Sequence, residues 1–301
     1  MKYRGRVISS TVPVANSSQA SGIWFPAQHM QGIRAGTWPV LSFAYIGTKL
    51  FSTSSQYNNS SSNWIVPANV TFIWFKIWGS GGAPDGYPNG YDGGNGGAGG
   101  FTEGVITSTP GETLNVAVGT VTNNGGASKS FGGSGGGFSG VFRSTTPLLI
   151  AGGGGGGQVN GTAAGGAGGG SSGQASSDGI AGGTQSAGGP NGSYLTGGSE
   201  GGGGGYYGGG GGSWSSASGG GSGYSGGSIA KTSTVTGNYR TPAGTSDPEY
   251  PSGNSPGGLP WAYGGIGNNS GNSSHGSGYI IAHCYSSNPE NLTYPVNRTL
   301  L

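Results

Sequence analysis

Apolar residues come in short alternating bursts along this chain, and glycine, proline or asparagine closes each burst. Thr71 to Trp78 (TFIWFKIW) puts Ile73, Phe75 and Ile77 on one side of an extended chain and Phe72, Trp74 and Trp78 on the other, so both faces seek cover. Phe101 to Thr107, Glu112 to Val118, Phe138 to Arg143 and Leu148 to Ala151 read as further strands, with Leu114, Val116 and Val118 alternating and Pro110-Gly111 making a tight turn. A last strand, Gly278 to Cys284 (GYIIAHC), sits far away in sequence and must close the sheet after a long glycine-rich insertion. Short strands at this spacing predict a mostly β sandwich or jelly roll.

Composition changes that picture. Of 301 residues 75 are glycine, 31% are apolar and only 7% are charged, so a conventional core is not the only source of order. Such a composition without strict period ordinarily means disorder. The alternative is that the glycines are built into a repeating backbone structure. Runs such as Gly152 to Gly157, Gly201 to Gly205 and Gly208 to Gly212 are poor helix and strand formers. A polyproline-II-like chain rises about 3.1 Å per residue and turns every three, leaving each N–H and C=O pointing outward to be paired by neighbours. Without Cβ atoms such chains can pack side by side. Each hydrogen bond contributes only about 1 kcal/mol net against an ordering cost of about 1–2 kcal/mol per residue, so the lattice must be extensive. Many short runs are present.

The first zone, residues 1–47, differs. Ala27 to Arg34 predicts a two-turn helix stopped by Gly36, with Trp24, Phe25, Arg34 and Trp38 as candidate anchors for docking onto something larger. The start MKYRGR has the positive flank of a signal peptide, but Ser9, Ser10, Thr11 and Pro13 interrupt the apolar stretch that a cleavable leader needs. The single Cys284 excludes an intramolecular disulfide and reads as a buried thiol. A net charge of +2 makes no basic stripe for nucleic acid, and no apolar run is long enough to span a bilayer as a helix.

Two resemblances rest on specific stretches. Asn63-Trp64-Ile65-Val66-Pro67-Ala68-Asn69-Val70-Thr71 running into Ile77-Trp78-Gly79-Ser80-Gly81-Gly82 resembles the opening of the glycine-rich domain family. The pattern continues in Gly99-Gly100-Phe101-Thr102-Glu103-Gly104, Pro110-Gly111-Glu112-Thr113-Leu114, Leu148-Leu149-Ile150-Ala151 and Gly276-Ser277-Gly278-Tyr279-Ile280. The resemblance implies a tumour-necrosis-factor-like jelly roll with an inserted polyglycine-II helix bundle, as in the ectodomains of anaplastic-lymphoma-kinase-type receptors and in phage proteins. It also implies a homo-oligomer, by analogy a trimer. The receptors' cysteines, transmembrane helix and kinase are missing, so their role is not carried over. Ala20-Ser21-Gly22-Ile23-Trp24, with Gln28, Gln31, Arg34-Ala35-Gly36 and Thr37-Trp38-Pro39, is similar to a segment of tailed-phage fibre-like structural proteins. The expected organisation is an anchor or assembly segment over 1–47, a glycine-rich jelly-roll domain over 48–285 with its glycine helices mainly within 79–100 and 152–277, and a tail over 286–301.

The chemistry-bearing motifs are weak. Gly132-Gly133-Ser134-Gly135-Gly136 matches G-x-S-x-G, and G-x-G-x-x-G recurs, but glycine tracts satisfy both by chance and neither has its strand-turn-helix context. His29, His275 and His283 offer no metal-ligand spacing, Asp85, Asp92 and Asp178 lie in separate loops, and Asp247 with Glu249 reads as a fortuitous acid pair. No catalytic set, cofactor or metal site is expected, and the chain reads as a non-enzyme. Aromatic rings between the glycine runs, Tyr206, Tyr207 and Trp214, either contact a ligand, or cap the lattice or pack between protomers. Tyr239, Tyr250, Trp261 and Tyr263 lie in a proline-rich loop read as a recognition surface. The expected role is a bacteriophage virion protein, a tail-fibre, tail-tip or capsid-fibre component displayed on the virion surface. It would dock to other virion proteins through its N-terminal segment and adhere to a host-surface glycan or protein. The alternative is a purely architectural fibril or coat protein without a receptor.

Overall fold

The computed structural model describes residues 45–52, 60–84, 94–121, 123–124, 126, 133–158, 161–239, 241–250, 276–287 and 300–301, all within the unit Tyr45–Leu301. The candidate anchors Trp24, Phe25, Arg34 and Trp38, the helix expected over Ala27 to Arg34, and Trp261 and Tyr263 lie outside the described residues.

Among the described residues there are strands and no helix. In chain order the strands are β1 (Tyr45–Ser52), β2 (Ser60–Ile65), β3 (Phe72–Trp78), β4 (Phe101–Thr107), β5 (Thr113–Val118), β6 (Ser139–Arg143), β7 (Thr146–Ala151), β8 (Ala230–Val235) and β9 (Tyr279–Tyr285). They form two antiparallel sheets, ordered β1-β9-β3-β4-β8 and β2-β5-β6-β7. The six strands legible from apolar alternation are β3, β4, β5, β6, β7 and β9. The other three carry little apolar signal: SSSNWI in β2 and AKTSTV in β8 are mostly polar, and YIGTKLFS in β1 breaks its alternation at Gly47 and Lys49.

The inward faces of the two sheets share one core. Ile73, Phe75 and Ile77 of β3 meet Ile280, Ala282 and Cys284 of β9, Leu114, Val116 and Val118 of β5, and Val141 and Leu149 from β6 and β7. Trp64 of β2 joins the sheets, edge-on to Phe51 at 5.5 Å and to Phe75 at 6.2 Å. Full burial of each such aliphatic or Phe side chain contributes about 1.5–3 kcal/mol. The opposite face of β3 is also covered: Trp78 packs with Phe101 and Ile281, and Tyr250 and Ala243 lie over them.

Outside the strands, the glycine runs bond in a different pattern. Residues 152–157 donate and accept in six directions. Gly154 and Gly157 N–H donate to Ser80 and Ala83 carbonyls, Gly153 and Gly156 to Gly204 and Gly201, and Gly155 to Gly166. In return Gly152 and Gly155 carbonyls accept from Gly100 and Gly97, Gly153 and Gly156 from Gly221 and Ser218, and Gly154 and Gly157 from Gly136 and Gly133. Residues three apart address the same neighbour each time, whereas a β-strand addresses two neighbours with a period of two. The run is thus the axis of a lattice whose surrounding segments are 80–83, 97–100, 133–136, 165–168, 201–204 and 218–221. Alanine and serine occur inside it at sparse positions, of which Ala83, Ala98, Ala167, Ser80 and Ser218 are buried.

Candidate functional site

Two side-chain assemblies stand out. The first is buried on the outer face of the five-stranded sheet. Antiparallel register sets Lys76 of β3 opposite Glu103 of β4, and Trp74 opposite His283 of β9. A strap of chain over 241–250 crosses this face and delivers two carboxylates. Lys76 Nζ donates to both Asp247 oxygens, at 3.0 and 2.9 Å, and lies 2.8 Å from Glu249 Oε2. His283 Nε2 sits 2.8 Å from the same Glu249 oxygen, and its Nδ1 lies 2.8 Å from Thr48 Oγ1. Lys76 also stands over the Trp74 ring, 4.6 Å from its centroid. Lys76, His283 and Thr48 have no solvent exposure.

Burial acts to raise the Glu249 carboxyl, but hydrogen bonds and charge from His283 and Lys76 outweigh it and hold the group at about 2. Glu249 is therefore an ionised acceptor, and His283 Nε2 carries the proton between them. Glu103 goes the other way: burial pushes its carboxyl up, against the pull of Lys76. Asp247 and Glu249, read from sequence as a fortuitous pair, meet on one lysine. The cluster is enclosed, so it works as a clamp for the strap, not as a solvent-facing acid pair. Its sequence signal was the lysine inside the otherwise apolar stretch TFIWFKIW, since a fully buried lysine needs paired charge.

The second assembly is aromatic. Tyr206 stacks on Tyr224 with centroids 4.2 Å apart and planes at 17°. Tyr194 meets Tyr206 and Tyr207 edge-on at 5.5 and 5.9 Å, and Tyr206 and Tyr207 meet each other at 5.3 Å. Backbone bonds fix the group: Tyr206 N–H donates to Ser222 O, Ser222 N–H donates to Tyr207 O, and Leu195 N–H donates to Tyr206 O. Tyr206, Tyr224 and Leu195 pack against Phe138, Phe142 and Ile150, while Tyr194 is 44% exposed. Burial, with help from the neighbouring phenols, raises the hydroxyls of Tyr194 and Tyr206. Both hydroxyls therefore stay protonated across the physiological range.

The remaining expected ligand rings fall in different places. Trp214 is 55% exposed in the loop 213–216, which Gln158 tethers by donating its Nε2–H to Ser215 O at 2.6 Å. Gln158 directly follows the axial run 152–157. Tyr239 is exposed ahead of the strap in sequence, its N–H donating to Gln174 Oε1 and its carbonyl accepting from Ala98 N–H. Tyr250 is half-buried against Trp78 at 6.0 Å. The described part of the proline-rich loop is thus the clamped strap. Sequence reasoning singled out Tyr206 and Tyr207 but not that Tyr194 and Tyr224 complete their cluster, because the partners lie far apart in the chain.

The motifs set aside from sequence also find their places. Ser134 lies in the lattice, its carbonyl accepting from Ala83. Asp178 accepts from Ser176 Oγ at 2.6 Å and from Ala217 N–H at 3.0 Å, so it ties two loops together. Asp85, Asp92, His29 and His275 lie outside the described residues. Among the described residues no group of three or more His, Cys, Asp or Glu is placed to hold a metal ion. No helix there is long and apolar enough to cross a membrane.

No curated protein sequence matches the chain. The sequence model of the glycine-rich domain matches residues 54–285, from just before β2 to the end of β9, and so takes in eight of the nine strands and the whole lattice. With well over half its length matched, the chain belongs to the glycine-rich domain family.

Proposed function

We propose that this chain is a structural and adhesive protein of a bacteriophage particle, a component of a tail fibre, tail tip or capsid fibre. On this reading residues 1–47 dock onto other virion proteins and the body stands on the virion surface facing a host glycan or protein. The observation that carries it is the tyrosine cluster with exposed Tyr194, together with Trp214, held on a body whose backbone is hydrogen-bonded in six directions. Rigid aromatic rings give contact area at low entropic cost, and serine and asparagine around them adapt to a ligand. The similarity of residues 20–39 to a tailed-phage segment supports the docking half.

Two finer statements about the fold belong to the same reading. The two facing sheets are those of a tumour-necrosis-factor-like jelly roll, and the period-three lattice is a bundle of polyglycine-II helices, whose three residues per turn match the bonding of residues 152–157. A homotrimer would present several copies of the aromatic surface, multiplying a weak contact into useful avidity.

Cryo-electron microscopy of purified particles tests the docking half, with residues 1–47 expected against other virion proteins. Replacing Tyr194, Tyr207 and Trp214 by alanine tests the adhesive half: host adsorption should fall at least tenfold with the melting temperature held. Unchanged adsorption would remove the adhesive role. Filaments built from this chain alone would make it an architectural protein.

A further inference from the structure

The tyrosine assembly covers only part of the outer face of the four-stranded sheet. The sheet's register sets two rows across the strands. One runs Ser61, Ala117, Gly140, Ile150, and continues to Tyr224, which exchanges backbone bonds with Ile150 beyond the β7 edge. The next runs Asn63, Asn115, Phe142. In the first row the space over Gly140 is filled by the Ile150 and Phe142 side chains, and the small Ala117 beside it leaves the face hollow. A groove of about 400 Å³ results, lined by Phe138 and Phe142 together with Asn63, Asn115, Asn124 and Ser61.

The groove is built from fixed parts. Asn115 Nδ2 donates to Ser144 O at 2.8 Å and Asn124 Nδ2 to Val118 O at 2.8 Å, which orients both carboxamides and leaves their oxygens as acceptors. Asn63 and Ser61 are exposed on the edge strand. Phe138 and Phe142 meet at 5.9 Å and 60°, buried in the cluster that also holds Tyr206 and Tyr224 and showing the groove only a small part of their rings. Among the described residues no side chain lining the groove is ionisable. Apolar walls with a few oriented polar groups in a volume within the roughly 300–1,000 Å³ of small-ligand sites describe a binding site. The chemistry that fits is a ring with an apolar face and a rim of neutral hydroxyls.

We propose that this groove binds an uncharged oligosaccharide, one sugar ring lying against Phe138 and Phe142 with its hydroxyls bonded to Asn63, Asn115 and Asn124. The carboxamides both donate and accept, as vicinal hydroxyls do, and the described lining offers no charge to pair with a sulfated or acidic glycan. The site rests on the adhesive reading for its biological ligand and is separate from the exposed tyrosine surface, so the two can fail independently.

The test uses the full chain on a printed array of uncharged oligosaccharides that includes maltohexaose and chitohexaose, with a heparin hexasaccharide as charged control. Affinity for the retained glycan is then compared for the wild type, Asn63→Ala, and Ser61→Trp, which fills the groove from an exposed edge position. The expected result is retention of an uncharged glycan, about tenfold weaker binding for Asn63→Ala and loss of binding for Ser61→Trp, with thermal unfolding unchanged. Retention of no uncharged glycan, retention of heparin alone, or binding indifferent to both substitutions would overturn the groove. A dimer that Ser61→Trp dissolves would also overturn it and make this face a contact between copies. Host adsorption lost on replacing Tyr194, Tyr207 and Trp214, but retained by Ser61→Trp, would overturn the groove and leave the adhesive reading standing.

Discussion

At the scale of single residues, this chain concentrates its few charges where they are most consequential. Lys76, Asp247, Glu249 and His283 meet under a strap, although only 7% of the sequence is charged. Desolvating such groups costs several kcal/mol each, and removing one partner leaves another uncompensated. Glu249 makes the effect measurable through pH. Its folded carboxyl sits at about 2 and its ordinary value is 4.5, so its contribution is fully present above about 4.5 and is lost as pH falls toward 2. The shift corresponds to about 3 kcal/mol at neutral pH. Glu103, raised by burial, contributes with the opposite sign, since its share is lost as pH rises through its folded value. Urea midpoints followed from pH 7 to 2 should therefore drop for the wild type and be flatter for Glu249→Gln, which starts lower. Equal slopes for the two proteins would mean that Glu249 is not held by Lys76 and His283.

At the scale of elements, the strands and the glycine runs answer to different physics. Glycine is needed in the lattice for closeness rather than for backbone freedom: residues 152–157 have no positive φ, but a Cβ at Gly154 would fall on the Gly97 carbonyl and one at Gly155 on the Ser218 carbonyl. Backbone cannot yield as a flexible side chain does, so Gly155→Ala should cost at least the 1–3 kcal/mol typical of overpacking. Gly111 is the counter-case, with φ +83 and open space around it, so there alanine meets only conformational strain. Thermal melts of both variants should show the larger loss at Gly155; the reverse order would undo the close-packing argument. This contrast also explains what was legible beforehand. Six strands showed in the alternation of β3 to β7 and β9, because their side chains choose faces. In β2 and β8 most side chains are polar and lie on edges, so pairing with β5 and β4 rather than hydrophobicity makes them strands. The runs signalled that a lattice existed, but not which runs touch, because identical glycines carry no information about neighbours. The tyrosine cluster was half legible for the same reason: Tyr206 and Tyr207 stood out locally, while Tyr194 and Tyr224 join them only through lattice register.

At the scale of the whole molecule, the chain leaves the β-structure after β7, lays down most of the lattice, adds β8, and returns to complete the core last. That return is structurally decisive. β9 is an inner strand of its sheet, paired to β1 along one side and β3 along the other, and it supplies Ile280, Ala282 and Cys284 to the core and His283 to the clamp. Its first neighbours also bind the lattice: Gly276 O accepts from Gly81 N–H and from Ser80 Oγ, and Gly278 N–H donates to Gly119 O. Sheet, clamp and lattice therefore share one late segment, and none of them can be finished without it. A chain ending at residue 275 would leave β1 and β3 with open hydrogen-bonding edges and exposed apolar faces, which promotes aggregation. Such a truncation should lose the whole transition: no cooperative melt, fast hydrogen exchange at the amides of residues 152–157, and association on size exclusion. Retained protection at those amides would show instead that the lattice folds independently of the sheets and that the glycine-rich body is two cooperative units rather than one.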